Sequence, residues 1–139
     1  MIVAGFLLVL AGCVQKQPAD LSGVPETYYV FFETNSADLT PDGYAIVQRA
    51  ADGAAKLRPQ TIEISGYSDR VGSEAANKQI AIHRAEIVTK TLTDLGVDPA
   101  IVTTLPLGTA IDEYGPTGDR RIEIHLIKVP SEAPGPVLK

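Results

Sequence analysis

Asp69 and Arg84, one carboxylate and one guanidinium fifteen residues apart, are the side chains of this chain best placed to do chemistry together. Asp69 stands at the turn that follows a short apolar run, Thr61-Ile-Glu-Ile-Ser65. Arg84 falls inside a periodic helical stretch, four residues after Ile80, where the pattern calls for an apolar side chain. Asn77, three residues before Ile80, sits on the same stripe. A charge on a sheet-facing stripe is costly unless it is paired or reaches an open edge. Asp69 supplies a pair, just before a helix N-terminus, where negative charge is favoured. Arg120 shares parity with Ile122 and Ile124 and opens the last apolar run, so its guanidinium is expected at the same edge. Asp69, Asn77, Arg84 and Arg120 are therefore expected to converge, with Tyr67, Ser68, Gly72 and Arg121 as a candidate rim. Fixed charges of both signs suit a small zwitterionic ligand, and arginine offers a planar fork for a carboxylate. Plainer readings stand beside this one. Asp69 and Arg84 could form a purely structural ion pair, Asn77 could serve neighbouring backbone groups, and Arg120 and Arg121 could be solvated strand-end charges. The solvated reading suits the outward-facing Arg121 best, and Tyr67 reads as surface packing.

Composition narrows the function classes. A net charge of −5 without a cluster of Lys and Arg argues against nucleic acid as a partner. The single cysteine, Cys13, excludes an intrachain disulfide and a multi-cysteine metal site. The two histidines, His83 and His125, form no metal motif and read as surface residues. No nucleophile motif and no phosphate-cradling glycine loop is present, so the chain reads as a non-enzyme without cofactor or metal.

The elements that must position these residues follow from periodicity and punctuation. Tyr28 to Glu33 reads as a first strand, rich in aromatic and β-branched residues. Thr40 as N-cap and Pro41 at the first helical position open a helix to about Leu57, ended by Pro59. A second strand runs from Thr61 to about Tyr67, and a second helix from near Ser73 to about Leu95, closed by Gly96. The apolar stripe of that helix reads as Ile80, Ile87, Val88, Leu92 and Leu95. A third strand covers Ile101 to Leu107. Gly108 to Asp119 reads as a loop, and Arg120 to Lys128 as a strand with Ile122, Ile124 and Leu126 facing in and Arg121, Glu123 and His125 facing out. The expected fold is α+β and two-layered: β-α-β-α-β-β, a mixed four-stranded sheet with both helices on one face and the other face at least partly wet.

Outside that domain, residues 1–12 are almost wholly apolar, too few to span a bilayer as a helix, which takes ~20 residues. They read as a signal peptide. Leu10-Ala11-Gly12-Cys13 resembles the bacterial lipoprotein signal, in which the chain is cleaved before the cysteine and its thiol is acylated. That resemblance implies a lipid anchor at Cys13, and Val14 after it resembles the pattern of export to the outer membrane. Residues 13–27 then read as the lipidated cysteine and a flexible tether, 28–128 as the folded domain, and 129–139 as a disordered tail.

The separated motifs Gly66-Tyr-Ser-Asp69, Gly72, Asn77-Lys-Gln-Ile-Ala-Ile-His-Arg84-Ala85 and Gly118-Asp-Arg120-Arg-Ile-Glu-Ile124 closely resemble, in order and spacing, those of the OmpA-like peptidoglycan-binding domain. The resemblance covers about Tyr28 to Lys128. It implies binding of diaminopimelate in the peptide stem of peptidoglycan, with the residue at Asp69 gripping an ammonium and the residue at Arg84 a carboxylate. It also implies an anchor between outer membrane and wall, with envelope-complex proteins as further partners. The sequence departs from the family pattern at Tyr67 and Ser68, which stand for His and Thr, at Ile80-Ala81, which stand for Leu-Ser, and in a shortened loop before Arg120 that ends in Asp119 rather than Asn. These departures keep a second reading open: an assembly subunit that retains the fold with a weakened pocket.

Overall fold

The computed structural model describes residues 26–109 and 115–128. The signal peptide, Cys13, the tether up to Pro25 and the C-terminal tail expected from the sequence lie outside the described residues.

The elements, in chain order, are strand β1 (Glu26–Phe31), helix α1 (Pro41–Leu57), strand β2 (Thr61–Ser68), helix α2 (Glu74–Asp94), a 3₁₀ turn (Pro99–Ile101), strand β3 (Val102–Thr109), a short helix α3 (Gly115–Asp119) and strand β4 (Arg121–Ile127). Local chemistry explains most boundaries. The Thr40 hydroxyl accepts the Gly43 N–H at 3.0 Å and Pro41 opens α1. The Ser73 hydroxyl accepts the Ala76 N–H at 3.2 Å and caps α2. Gly96 follows α2 with φ +96, a backbone conformation that suits glycine. α3 interrupts what the sequence offers as a loop; five residues with two glycines and a proline carry no periodicity by which to see a helix.

The four strands form one sheet in the order β1-β4-β2-β3. β4 is antiparallel to both its neighbours, whereas β2 and β3 run parallel. The sheet is thus mixed, and the last strand in sequence occupies an inner position. Pro106 falls in β3, an edge strand, where a missing N–H is tolerated. The β2–β3 register shifts between Gly66 and Tyr67, an irregularity of the kind that re-aims a strand end beside a site.

Both long helices pack on one face of the sheet. The core between the layers includes Val30, Phe32, Val47, Ile62, Ile64, Val88, Leu92, Ile122, Ile124 and Leu126. The stripe of α2 differs from the sequence reading. Its buried residues are Asn77, Ala81, Arg84, Ala85, Val88 and Leu92, whereas Ile80 is half-buried and Ile87 is exposed. The reason is closeness. A Cβ on Gly66 would stand 2.8 Å from the Ala81 carbonyl oxygen, so α2 lies backbone-to-backbone on β2. Only small residues fit that contact, and the branched side chains are turned to its flanks.

Arg121, expected as a solvated charge on the open face of the sheet, is instead only 4% exposed. Its guanidinium lies 4.3 Å from the Tyr67 ring centroid and its Nε donates to Glu123 Oε1 at 2.7 Å. Neighbouring β4 and β2 place these three side chains together, which shields the charge without a covering helix.

Candidate functional site

β2 ends at Ser68, and Asp69 follows in a tight turn in which its Oδ1 accepts the Val71 N–H at 3.1 Å. That bond fixes the carboxylate, and the turn reaches Gly72, whose φ of +97 is glycine's region. A Cβ there would lie 3.9 Å from Asn77 Oδ1, which places the buried Asn77 side chain against this turn.

Arg84 rises from the middle of α2 and is only 1% exposed. Its Nε donates to the Ser36 carbonyl at 2.8 Å, Nη2 to the Glu33 carbonyl at 3.0 Å, and Nη1, more weakly, to the Tyr67 carbonyl at 3.4 Å. Its guanidinium also lies over the Phe32 ring, 5.1 Å from the centroid. Glu33 and Ser36 bound a turn in which Asn35 takes φ +52. Arg84 therefore holds together the β1–α1 turn, the end of β2 and the middle of α2.

Arg120 supplies the direct partner of Asp69. Its Nη1 donates to Asp69 Oδ2 at 3.1 Å and to the Pro116 carbonyl at 2.9 Å, and its Nε to the Phe32 carbonyl at 3.2 Å. The side chains of the pair are 13% and 11% exposed, so the contact is shielded but reachable. The structural pair expected between Asp69 and Arg84 is replaced, in geometry, by one between Asp69 and Arg120. The sequence signal was present: Arg120 precedes the inner strand β4, which lies next to β2 and so ends beside Asp69.

Among the described residues, two arginines and one carboxylate lead the field at this turn. Burial, and then the nearby Arg120, pull the Arg84 guanidinium down to about 10, while Asp69 acts the other way. Arg84 thus stays charged at neutral pH. Asp69 neutralises one of the two positive charges, which leaves a crevice receptive to an incoming anion while still presenting a carboxylate to a cation.

Two further polar atoms border this end of the sheet. The Ser68 hydroxyl and Asp119 Oδ1 are buried and, among the described residues, have no hydrogen-bond partner. Asp119 Oδ1 stands 3.8 Å from Arg121 Nη1. Of the residues singled out from sequence, the structure places Asp69, Asn77, Arg84 and Arg120 about the turn after β2. Tyr67 and Arg121 lie on the opposite face of the sheet. His83 is exposed beside Glu86 on α2, and His125 is hydrogen-bonded to Thr27 and faces Glu123 on the open face. Sequence reasoning missed Ser36 and Glu33, because they contribute carbonyls and any residue type supplies those. Among the described residues, no cluster of His, Cys, Asp and Glu is arranged to hold a metal ion, and no helix is long and apolar enough to cross a membrane.

Charges of both signs thus meet on a two-layer frame at a strand-to-helix turn. The match to the OmpA family covers residues 31–117, and the chain belongs to that family. Among its relatives, outer membrane porin F of Pseudomonas fluorescens is 28% identical over 100 residues, covering 68% of this chain and 31% of the porin. The peptidoglycan-binding protein ArfA of Mycobacterium tuberculosis is 32% identical over 101 residues, covering 68% of this chain and 31% of that protein. The chain thus spans about a third of the length of these two relatives. The crystal structure of the peptidoglycan-associated lipoprotein of Burkholderia pseudomallei superposes with a TM-score of 0.63 at 26% identity, covering 70% of this chain and 87% of that one. The α+β fold with two long helices on one face of a mixed four-stranded sheet is that of an OmpA-like peptidoglycan-binding domain.

Proposed function

We propose that this protein binds peptidoglycan non-covalently through the diaminopimelate of its peptide stem, and that it does so as a lipoprotein anchored at Cys13 to the outer membrane. The observation that carries the reading is the Asp69–Arg120 contact backed by the buried Arg84, on the family's own spacing. The free end of diaminopimelate carries an ammonium and a carboxylate on one carbon. The two Asp69 oxygens offer about four acceptor positions, of which Val71 and Arg120 take two, so an ammonium finds room. Among the described residues Arg120 Nη2 makes only a 3.5 Å contact to Thr117, which leaves donors for the ligand's carboxylate. Arg84 uses three of its five N–H groups on backbone carbonyls and keeps two for a ligand oxygen. The protein acts by holding this group, with no bond made or broken.

A second reading, an assembly subunit of an envelope complex with a weakened pocket, is favoured by the same contact, since Asp69 already has an ion-pair partner within its own chain. Co-sedimentation with purified sacculi separates the two. Wild type is expected in the pellet, and Asp69→Asn and Arg120→Gln, with folding verified by circular dichroism, in the supernatant. Equal pelleting of all three would refute the diaminopimelate reading. Incorporation of labelled palmitate, abolished by Cys13→Ala, tests the anchor.

A further inference from the structure

Arg121 is a fully shielded cation on the sheet face that carries no helix, and its contacts run to both halves of the site on the other face. Towards β2 its guanidinium covers the Tyr67 ring at 4.3 Å. The same residue's carbonyl accepts from Arg84, and the chain continues from it through Ser68 to Asp69. Towards α3, Arg121 Nη1 donates to the Gly118 carbonyl at 3.3 Å, one residue before Asp119 and two before Arg120. Glu123 Oε1, at 2.7 Å from Nε, locks the guanidinium in its plane.

We propose that Arg121 is a positioning residue for the ligand site: the Arg121–Tyr67 stack, locked by Glu123, sets how the end of β2 and the α3–β4 junction stand to one another, and so holds the Arg120 guanidinium against Asp69. The inference rests on the reading of that crevice as the peptidoglycan site. Two features of the contact set support it. Arg120 and Arg121 are consecutive and send their guanidinium groups to opposite faces, yet both hold carbonyls of α3, at Pro116 and at Gly118. A helix of five residues has little of its own to fix it, so these two donors clamp it from either side. Stacking and a planar fork are also properties that lysine lacks, so the position calls for arginine rather than for a positive charge as such. Tyr67, where the family pattern has His, supplies the broad ring on which that plane lies.

The test uses the full chain labelled with ¹⁵N, and reads the Nε–Hε resonances of Arg120 and Arg84 without ligand, the affinity for a diaminopimelate-containing muropeptide by calorimetry, and the melting temperature. Arg121→Lys and Tyr67→Leu are expected to shift or broaden the Arg120 signal and to weaken binding ~10-fold, the loss of about one charge-assisted contact. The Arg84 signal, held by Glu33 and Ser36, stays in place in Arg121→Lys. Tyr67→Phe keeps the ring and restores both readouts. The milder Glu123→Gln, which keeps shape and an acceptor, gives the same Arg120 shift in smaller measure should either stronger variant fail to fold. An unmoved Arg120 signal with unchanged affinity overturns the proposal, and so does an equal disturbance of both arginine signals matched by a fall in melting temperature. Absence of muropeptide binding by wild type refutes the function proposed above but leaves the resonance test to decide the role of Arg121.

Discussion

Replacing Arg84 by Met asks whether this buried guanidinium is scaffold as well as ligand contact. Met keeps much of the side-chain volume but removes every donor. Of the three bonds lost, those to Ser36 and Glu33 at 2.8 and 3.0 Å are short, and the one to Tyr67 at 3.4 Å is marginal. Two hydrogen bonds from a charged group at ~1.5–3 kcal/mol each give about 3–6 kcal/mol. Relief of the burial that lowers Arg84's proton affinity, and rehydration of the turn carbonyls, offset part of this. A loss of ~3 kcal/mol is therefore expected, and for a domain of this size each kcal/mol moves the melting temperature by about 4–8 °C. Urea denaturation followed by circular dichroism measures it. Arg84→Lys should recover only a fraction, because one ammonium cannot meet carbonyls that a planar fork reaches in different directions. A loss under ~1 kcal/mol, with ligand binding abolished, would refute the scaffold role and make Arg84 a dedicated ligand contact. In either event, a binding defect in an Arg84 variant is interpretable only beside its stability.

Two further outcomes follow from the packing. Gly66→Ala places a Cβ 2.8 Å from the Ala81 carbonyl oxygen and 3.2 Å from Ile122 Cδ1, so it should cost ~1–3 kcal/mol by forcing α2 away from β2, measurable as a lower urea midpoint. The Tyr28 phenol is pushed up to about 12 by burial, with its hydrogen bond to Glu26 next in effect. The unfolded chain gives up that proton from about pH 10 and the folded chain only near 12, so the group's contribution to stability is present below pH 10 and is lost as pH rises through that window. Tyrosinate absorbance should show a late component whose amplitude Tyr28→Phe lowers.

Much of the fold was legible because its signals are local. Caps at Thr40 and Ser73, the stop at Gly96 and the alternation of β4 mark the elements without reference to the rest of the chain. The stripe of α2 was misread because hydrophobicity favours Ile80 and Ile87, whereas the contact with Gly66 is decided by size, and alanine carries little hydrophobic signal. The charged residues of the site could be picked out as exceptions to a pattern. Their pairing could not, because whether Asp69 meets Arg84 or Arg120 depends on where β4 lies in the sheet. Arg121 was misread for a related reason. Alternation gives the face of a side chain but not its cover, and that cover comes from Tyr67, far away in sequence and beside it only once β4 has inserted next to β2.

The sheet order β1-β4-β2-β3 also has a bearing on how the protein is made. Among the described residues β1 pairs with β4 alone, so the first of the four described strands has no neighbour until the last of them arrives. Such long-range pairing is slow to form and leaves strand edges open in the meantime. Arg120 immediately precedes β4. Chains still emerging from a ribosome or a translocation channel, and fragments cut short before Arg120, would therefore carry Asp69 and Arg84 but no assembled crevice. Binding competence would then double as a mark of completed biosynthesis.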